Sequence, residues 1–289
     1  PEDSAMKKVL EEYTKKDSRI RVSELTENKG IAGNTNAALE MAQGEFVGLL
    51  DHDDLLAPNA LYEIALALGK DRALDAVYTD EDKVSMDGQH YFDPHFKSDF
   101  NLFHFRDKVT TELDEHFQPH LKPDFNLDLL RSNNYICHFF VVRRSIVQKV
   151  GGFRQEFDGA QDFDFIFRCC EKAEKIIHIP RVLYHWRCHM DSTAADPESK
   201  AYAFEAGRKA VEEHYKRMGI PAKVEMTERP GWYRSRLEIQ GNPMISVIIP
   251  NKDHTEDLEL CLSSMAERTS YENYEVLVVE NNSEEKETF

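Results

Sequence analysis

Apolar residues at Met6, Val9, Leu10 and Tyr13 recur at helical spacing and predict a helix over 4–16, with Ser4 placed to cap it. Alternation then predicts a strand over Ile20–Leu25, after which Gly30 and Gly33 open a second helix through Asn36 to Met41. Phe46–Leu50 is an unbroken apolar run of strand length that stops at Asp51. A helix over Pro58–Leu68 and a strand over Ala76–Thr79 follow. Helices and strands in alternation point to an α/β fold, a mixed and mostly parallel sheet with helices on both faces.

The period is lost from Met86 onward. Within that stretch Pro94–Leu102 recurs 25 residues later as Pro119–Leu127, identical at seven of nine positions. One recurrence is too few for a solenoid, so it predicts a local duplication that lengthens a surface loop, one copy packed and the other displaced. Order resumes with a strand over Tyr135–Arg143, a short helix that Gly151 and Gly152 end, and a helix over Gln161–Ala173. Short strands over Ile176–Ile179 and Val182–Trp186 and a polar helix over Pro197–Arg217 complete a first domain, residues 1–218. A linker is expected over 219–243, and 244–289 reads as strand, helix, strand, the opening of a second unit.

Composition narrows the function. The 289 residues are 41% apolar, enough for a real core. Asp and Glu number 53 against 36 Lys and Arg, a formal charge of -17, which argues against nucleic acid or an anionic bilayer as partner. No apolar run approaches the ~20 residues of a membrane span. The five cysteines are odd in number and form no C-x-x-C pair, which suits a reducing cytoplasm better than a disulfide framework or a zinc site. The chain starts at Pro1 and runs almost directly into a helix, so the natural N-terminus is expected upstream.

Four segments carry candidate chemistry. Asp51-His52-Asp53-Asp54 ends a buried strand, where open α/β sheets place ligands, and crowded carboxylates there suit a hard divalent cation; the alternative is a cap for the helix near Pro58. Gly159-Ala160-Gln161-Asp162-Phe163-Asp164 puts carboxylates at a helix N-terminus, either as caps or as a base for an attacking hydroxyl. His185, Trp186, Arg187 and His189 cluster at a strand-loop junction, where imidazole can complete a metal shell and guanidinium can grip phosphate. The loop with Asn28, Gly30 and Asn36 suits phosphate or ribose contact, or is a plain turn. Asp80, Glu81 and Asp82 end another strand on the same edge, with solvated charge as their default reading.

Taken together and in this order, Asn28-x-Gly30 through Asn36, Asp51-His52-Asp53-Asp54, Gly151-Gly152-Phe153, Gln161-Asp162-x-Asp164 and Arg187-x-His189-x-x-Ser192 resemble the family 2 glycosyltransferases of the GT-A fold. The resemblance covers roughly Pro1 to Tyr215. Residues 244–250 and 278–283 are similar to the first two strands of another copy, as in tandem bacterial enzymes of surface polysaccharide synthesis, rhamnosyltransferase-like in type. It implies an inverting transfer from a nucleotide-diphosphate sugar to a glycan or lipid-linked glycan hydroxyl, in the cytoplasm or at the inner membrane face. Mg²⁺ or Mn²⁺ would be held by Asp51 and Asp53 with His185 or His189, and Asp162 would be the base. Asn28, Gly30, Asn36, Asp51 and Arg187 would serve the donor; Glu81, Asp82, Gln161 and Trp186 would lie on the acceptor side, with the duplicated segment at its rim. Gln161 stands where the family often has Glu, and the first copy lacks the opening strand-helix-strand and its base-binding turn. Ile245–Ile249 beside Phe46–Leu50 and Tyr274–Val279 beside Ile20–Leu25 would fill that gap, in the same chain or by exchange in a homodimer, bringing Pro250, Asp253, Glu280 and Asn282 to the nucleotide. Two other readings stay open: a haloacid-dehalogenase-like phosphatase, since Asp-x-Asp ends an apolar strand there too, and a non-catalytic glycan-binding or scaffold module.

Overall fold

The computed structural model describes residues 4–85, 88, 91–92, 121–187 and 201–284. It falls into two compact units, Pro1–Leu237 and Glu238–Phe289. The first contains α1 (Ser4–Lys16), α2 (Gly30–Met41), β1 (Phe46–Gly48), β2 (Leu55–Leu56), α3 (Ala60–Lys70), β3 (Ala76–Val84), β4 (Tyr91–Phe92), α4 (Leu127–Ser132), β5 (Phe140–Arg143) and α5 (Arg144–Val150). It continues through α6 (Gln161–Cys170), β6 (Ile176–Arg187), α7 (Ala201–Met218), β7 (Ala222–Met226) and β8 (Tyr233–Leu237). The second unit is β9 (Ile245–Asn251), α8 (Thr255–Arg268) and β10 (Tyr274–Glu280).

The main sheet runs β1-β5-β3-β6-β2, with β4 also on β3. It is mixed, as expected, but not mostly parallel: among the described strands of this sheet β3 with β6 is parallel and the other pairs are antiparallel. Every residue of β3 is buried, so the period-two alternation of a strand feeds two separate cores. Ala76 and Tyr78 pack with Phe140, Phe153, Phe165 and Phe167 on one face, while Val77 packs with Ile64, Val141 and Leu183 on the other. The charged second half of the same strand is what builds the site.

Several elements depart from expectation. Ile20–Leu25 is not a strand: Ile20, Val22 and Leu25 are exposed and no described strand pairs with them. Alternation alone cannot hold an isolated extended segment. Of Tyr135–Arg143 only the last four residues form a strand, because a turn occupies 134–139. The two short strands around Pro180 are one, β6, with register shifts against β3 at Thr79–Glu81 that absorb the irregularity. Residues 219–243 are not simply a linker. They carry the β7–β8 hairpin, whose Val224 and Tyr233 join the core and whose Tyr233 hydroxyl donates to the Phe204 carbonyl of α7 at 3.0 Å. Gly207 of α7 is required at that contact, since a Cβ there would run into the Tyr233 hydroxyl.

In the second unit β9 pairs with β10, parallel and in register from Ile245–Tyr274 to Asn251–Glu280. Within the first unit β1 pairs with β5 and stands at the end of the described strand order. The first copy of the duplicated segment lies outside the described residues; in the second, Lys122 is buried.

Candidate active site

The acidic turn follows β1. Asp51 is exposed and Asp53 partly so, whereas Asp54 turns inward and is 8% exposed. Asp54 accepts hydrogen bonds from the Tyr184 hydroxyl and from the Arg187 backbone N–H, the latter at 2.8 Å. It latches the turn to the end of β6. Burial raises its pKa, with the Tyr184 and Arg187 bonds opposing. Neither Asp53 nor Asp54 caps the following helix, whose N-cap is Asn59. Asp51 and Asp53 lie on the more open side of the turn, where each has a histidine 3.7 Å away, His138 and His52.

Beneath the turn lies the charged half of β3, and solvated charge is the wrong description of it: Asp80, Glu81, Asp82 and Lys83 are all buried. Each has a partner from a different element. Asp80 accepts from His178 at 2.7 Å and from the Lys122 N–H at 2.7 Å. Glu81 meets the Lys122 ammonium at 2.9 Å, and Asp82 meets His185 Nδ1 at 2.5 Å. Lys83 lies over the Trp186 ring, 5.2 Å from its centroid. Buried charge is retained where it is paired and hydrogen-bonded, and the alternation of β3 sends successive charges to opposite faces of the sheet.

His138, in the turn before β5, occupies the centre. Its ring stacks on Tyr184 with centroids 4.8 Å apart and planes 7° from parallel. Nε2 is 3.7 Å from Asp51, Nδ1 is 3.5 Å from Glu81, and Cys137 Sγ is 3.3 Å from Nδ1. Burial alone would lower the imidazole pKa; the Glu81 carboxylate, 3.5 Å from Nδ1, works against it and holds it above the ordinary value. Burial pushes the Cys137 thiol up.

Asp162, in the first turn of α6, accepts from Asn134 Nδ2 at 2.8 Å. Burial raises its pKa, while the His138 charge, the Phe163 N–H and Asn134 act the other way. Asp164, two residues on, is fully buried between Arg154 and Arg168, at 2.5 and 2.8 Å, and is structural.

The structure thus brings Asp51, Glu81, Asp82, Asp162, Trp186 and His185 to one edge of the sheet. Asn36 is spent elsewhere. Its amide donates to the Phe153 carbonyl at 2.9 Å and accepts from the Phe153 N–H at 2.7 Å, clamping α2 to the turn before α6. Gly152, at φ 77°, admits that clamp, since a Cβ would strike Asn36 Oδ1. Asn28 accepts from the Gly30 N–H at 2.9 Å in a local turn, and Gln161 does the same for Gly159 at 2.8 Å. His189 lies outside the described residues. Pro250, Asp253, Glu280 and Asn282 sit at or just beyond the C-terminal ends of β9 and β10, where Asp253 accepts from Glu284 N–H at 2.6 Å and Glu280 from Ser283 N–H at 2.5 Å. Sequence reasoning missed His138, Asn134, Lys122 and Tyr184; the signal was Cys137-His138 inside an otherwise apolar run.

The mixed α/β sheet and its helices are of the GT-A type of glycosyltransferases. The chain belongs to glycosyl transferase family 2, whose model matches residues 3–151, about half of it. It is 38% identical over 289 residues to the uncharacterized protein y4gI of Sinorhizobium fredii, covering 99% of this chain and 29% of that one. It is 37% identical over 282 residues to the O-antigen biosynthesis protein RfbC of Myxococcus xanthus, covering 98% of this chain and 20% of that one. The chain therefore spans less than a third of these relatives. Among solved structures, S. aureus TarS aligns over 74% of this chain and 60% of its own at 17% identity and TM-score 0.45. A mannosyltransferase from Pyrobaculum calidifontis, in complex with GDP-Man and Mn2+, aligns over 73% and 50% at 17% identity and TM-score 0.43. Among the described residues no helix is long and apolar enough to cross a membrane.

Proposed function

We propose that the chain is an inverting glycosyltransferase that moves a hexosyl or deoxyhexosyl group from a nucleotide-diphosphate sugar to a hydroxyl of a glycan or lipid-linked glycan. The observation that carries this reading is that one short turn joins the two acidic segments, with His138 3.7 Å from Asp51 and Asn134 bonded to Asp162 at 2.8 Å. Relatives named for O-antigen and teichuronic acid biosynthesis support a surface polysaccharide as the acceptor class.

In such a transfer the acceptor oxygen attacks the anomeric carbon as the bond to the diphosphate breaks, so one displacement inverts the centre. The attacking hydroxyl must lose its proton, and Asp162 takes it. Its raised pKa makes it a better base than an exposed aspartate. The acid limb of the rate profile is accordingly expected above ~4, the ordinary carboxylate range, with activity falling as pH drops through the folded-state value.

The residues fit a divalent cation. Asp51, Asp54 and His138 bring ligand atoms within 4.8 Å of one another, a hard oxygen and imidazole set suited to Mg²⁺ or Mn²⁺. Asp51 and Asp53, on the open side of the turn, are the carboxylates we assign to it, and the Asp82 contact fixes the tautomer of His185 in the way a supporting carboxylate does for a ligating histidine. A cation held there would supply positive charge to offset that of the departing diphosphate.

The test uses UDP-N-acetylglucosamine, GDP-mannose and dTDP-rhamnose with and without Mn²⁺, read by thermal shift and by release of nucleoside diphosphate. Asp53→Ala is expected to abolish Mn²⁺-dependent binding. Asp162→Asn is expected to keep binding and lose turnover by about 10²- to 10⁴-fold. Equal loss of binding in both variants would remove the assigned roles, and trapping of an aspartyl phosphate on Asp51 would favour a phosphatase.

A further inference from the structure

Asn134 links the proposed base to a turn that cannot hold itself. Its Nδ2 donates to Asp162 Oδ2 at 2.8 Å, and its Oδ1 accepts from the Cys137 N–H at 3.3 Å. Cys137 adopts φ 40°, a region disfavoured for any residue with a Cβ. The turn is anchored from inside the protein by Lys122, whose side chain is fully buried. The ammonium donates to the Ile136 carbonyl at 2.7 Å, to the His138 carbonyl and to Glu81 at 2.9 Å. All three donors of one lysine are thereby spent on the three-residue stretch from Ile136 to His138 and on Glu81 of β3.

We propose that Asn134 is a positioning residue for Asp162, held in place through its turn by the buried Lys122, and that it fixes Oδ2 so that Oδ1 faces the acceptor hydroxyl. This rests on the reading of Asp162 as the base. A neutral amide suits the task. A cation in the same place would orient the carboxylate equally well, yet would lower its pKa and weaken it as a base. The titratable groups around Asp162 are His138 and Cys137 from the turn and Tyr233 from β8, none of which donates the bond that Asn134 supplies.

The experiment compares Asn134→Ala, the nearly isosteric Asn134→Asp and Asp162→Asn in the full chain. With aspartate labelled at 13Cγ, the resonance missing from Asp162→Asn identifies Asp162, and its titration is followed in the other two. Loss of the donor is expected to raise the midpoint in Asn134→Ala, and the added negative charge to raise it further in Asn134→Asp. With whichever nucleotide sugar of the panel the unaltered chain turns over, kcat is expected to fall about 10- to 100-fold. The donor KM should hold within about twofold, and the acid limb should move up with the midpoint. A fall in kcat with midpoint and acid limb unmoved would mean a structural role only and overturn the proposal. So would an unchanged kcat in both Asn134 variants. Should Asp162→Asn keep full turnover, the base assignment falls and this proposal with it; if that variant is inactive while the Asn134 variants leave the midpoint unmoved, only the present inference fails.

Discussion

A half-buried carboxylate with a raised pKa is costly to keep charged, and Asp162 is such a group. In the native state it holds its proton to higher pH than in the unfolded chain. Its contribution therefore favours folding below the folded-state pKa and is lost as pH rises through it. At neutral pH Asp162→Asn removes that cost and keeps the shape. The variant is expected to melt higher than the unaltered chain, by about 2 to 4 °C for each kcal/mol recovered, with the difference vanishing near pH 4. A lower melting temperature at pH 7 would contradict this account. Lys122 behaves in the opposite sense, because its removal leaves Glu81 and two carbonyls buried without their donor. Lys122→Met is expected to cost about 3 to 5 kcal/mol in chemical denaturation, the usual penalty for breaking a buried ion pair from one side. Single residues of this sort are the hardest to read from sequence. Asp51 and Asp162 stand out in the sequence as candidates because acid at a strand end or a helix start has a chemical reason. His138 and Lys122 were not, since their meaning depends on chain segments that only folding brings together.

Among the elements, periodicity recovered those whose own residues decide their structure: α1, α2, α3, α6 and β9 fall where the spacing of apolar positions puts them. It failed where a partner decides. Ile20–Leu25 alternates correctly yet has no neighbouring strand, and β3 extends to Val84 through four charges because partners on β6, Lys122 and Trp186 satisfy them. The β7–β8 hairpin reads as a linker in the sequence because its strands are short and largely exposed, with Val224 and Tyr233 as the buried contacts. Its docking on α7 makes a sharp prediction. Gly207→Ala drives a methyl into the Tyr233 hydroxyl and is expected to cost about 1 to 3 kcal/mol. Combined with Tyr233→Ala the penalty should largely disappear, a non-additivity that a double-mutant cycle on denaturation midpoints reads directly. Additive effects would show that helix and hairpin do not meet there.

At the scale of the whole chain, the two units differ in what holds them together. Both hydrophobic cores of the first are drawn from residues between Ala32 and Tyr233. In the second, α8 has no buried residue, and Ile245, Ile248, Leu260 and Val279 are exposed. Residues 1–237 made alone are expected to unfold cooperatively, at a temperature within a few degrees of the full chain. Residues 238–289 alone are expected to show no cooperative transition by circular dichroism, in keeping with the small core available to a chain of that size. A sharp melt for the shorter piece would show that β9, α8 and β10 suffice for each other.

The charged row of β3 also bears on how this protein can change over generations. Asp80, Glu81, Asp82 and Lys83 are each matched to a group from elsewhere in the chain, so altering any one member strands another in the interior. Drift at these positions must proceed by paired replacement, a route far rarer than a single step. Asp51 and Asp53 lie nearer the surface, where their contacts with His138 and His52, both at 3.7 Å, are long and partly solvated. A saturation library selected for folding alone should therefore tolerate most substitutions at Asp51 and Asp53 and very few along Asp80 to Lys83, so the imprint of history would be deepest in a strand that need never touch the substrate.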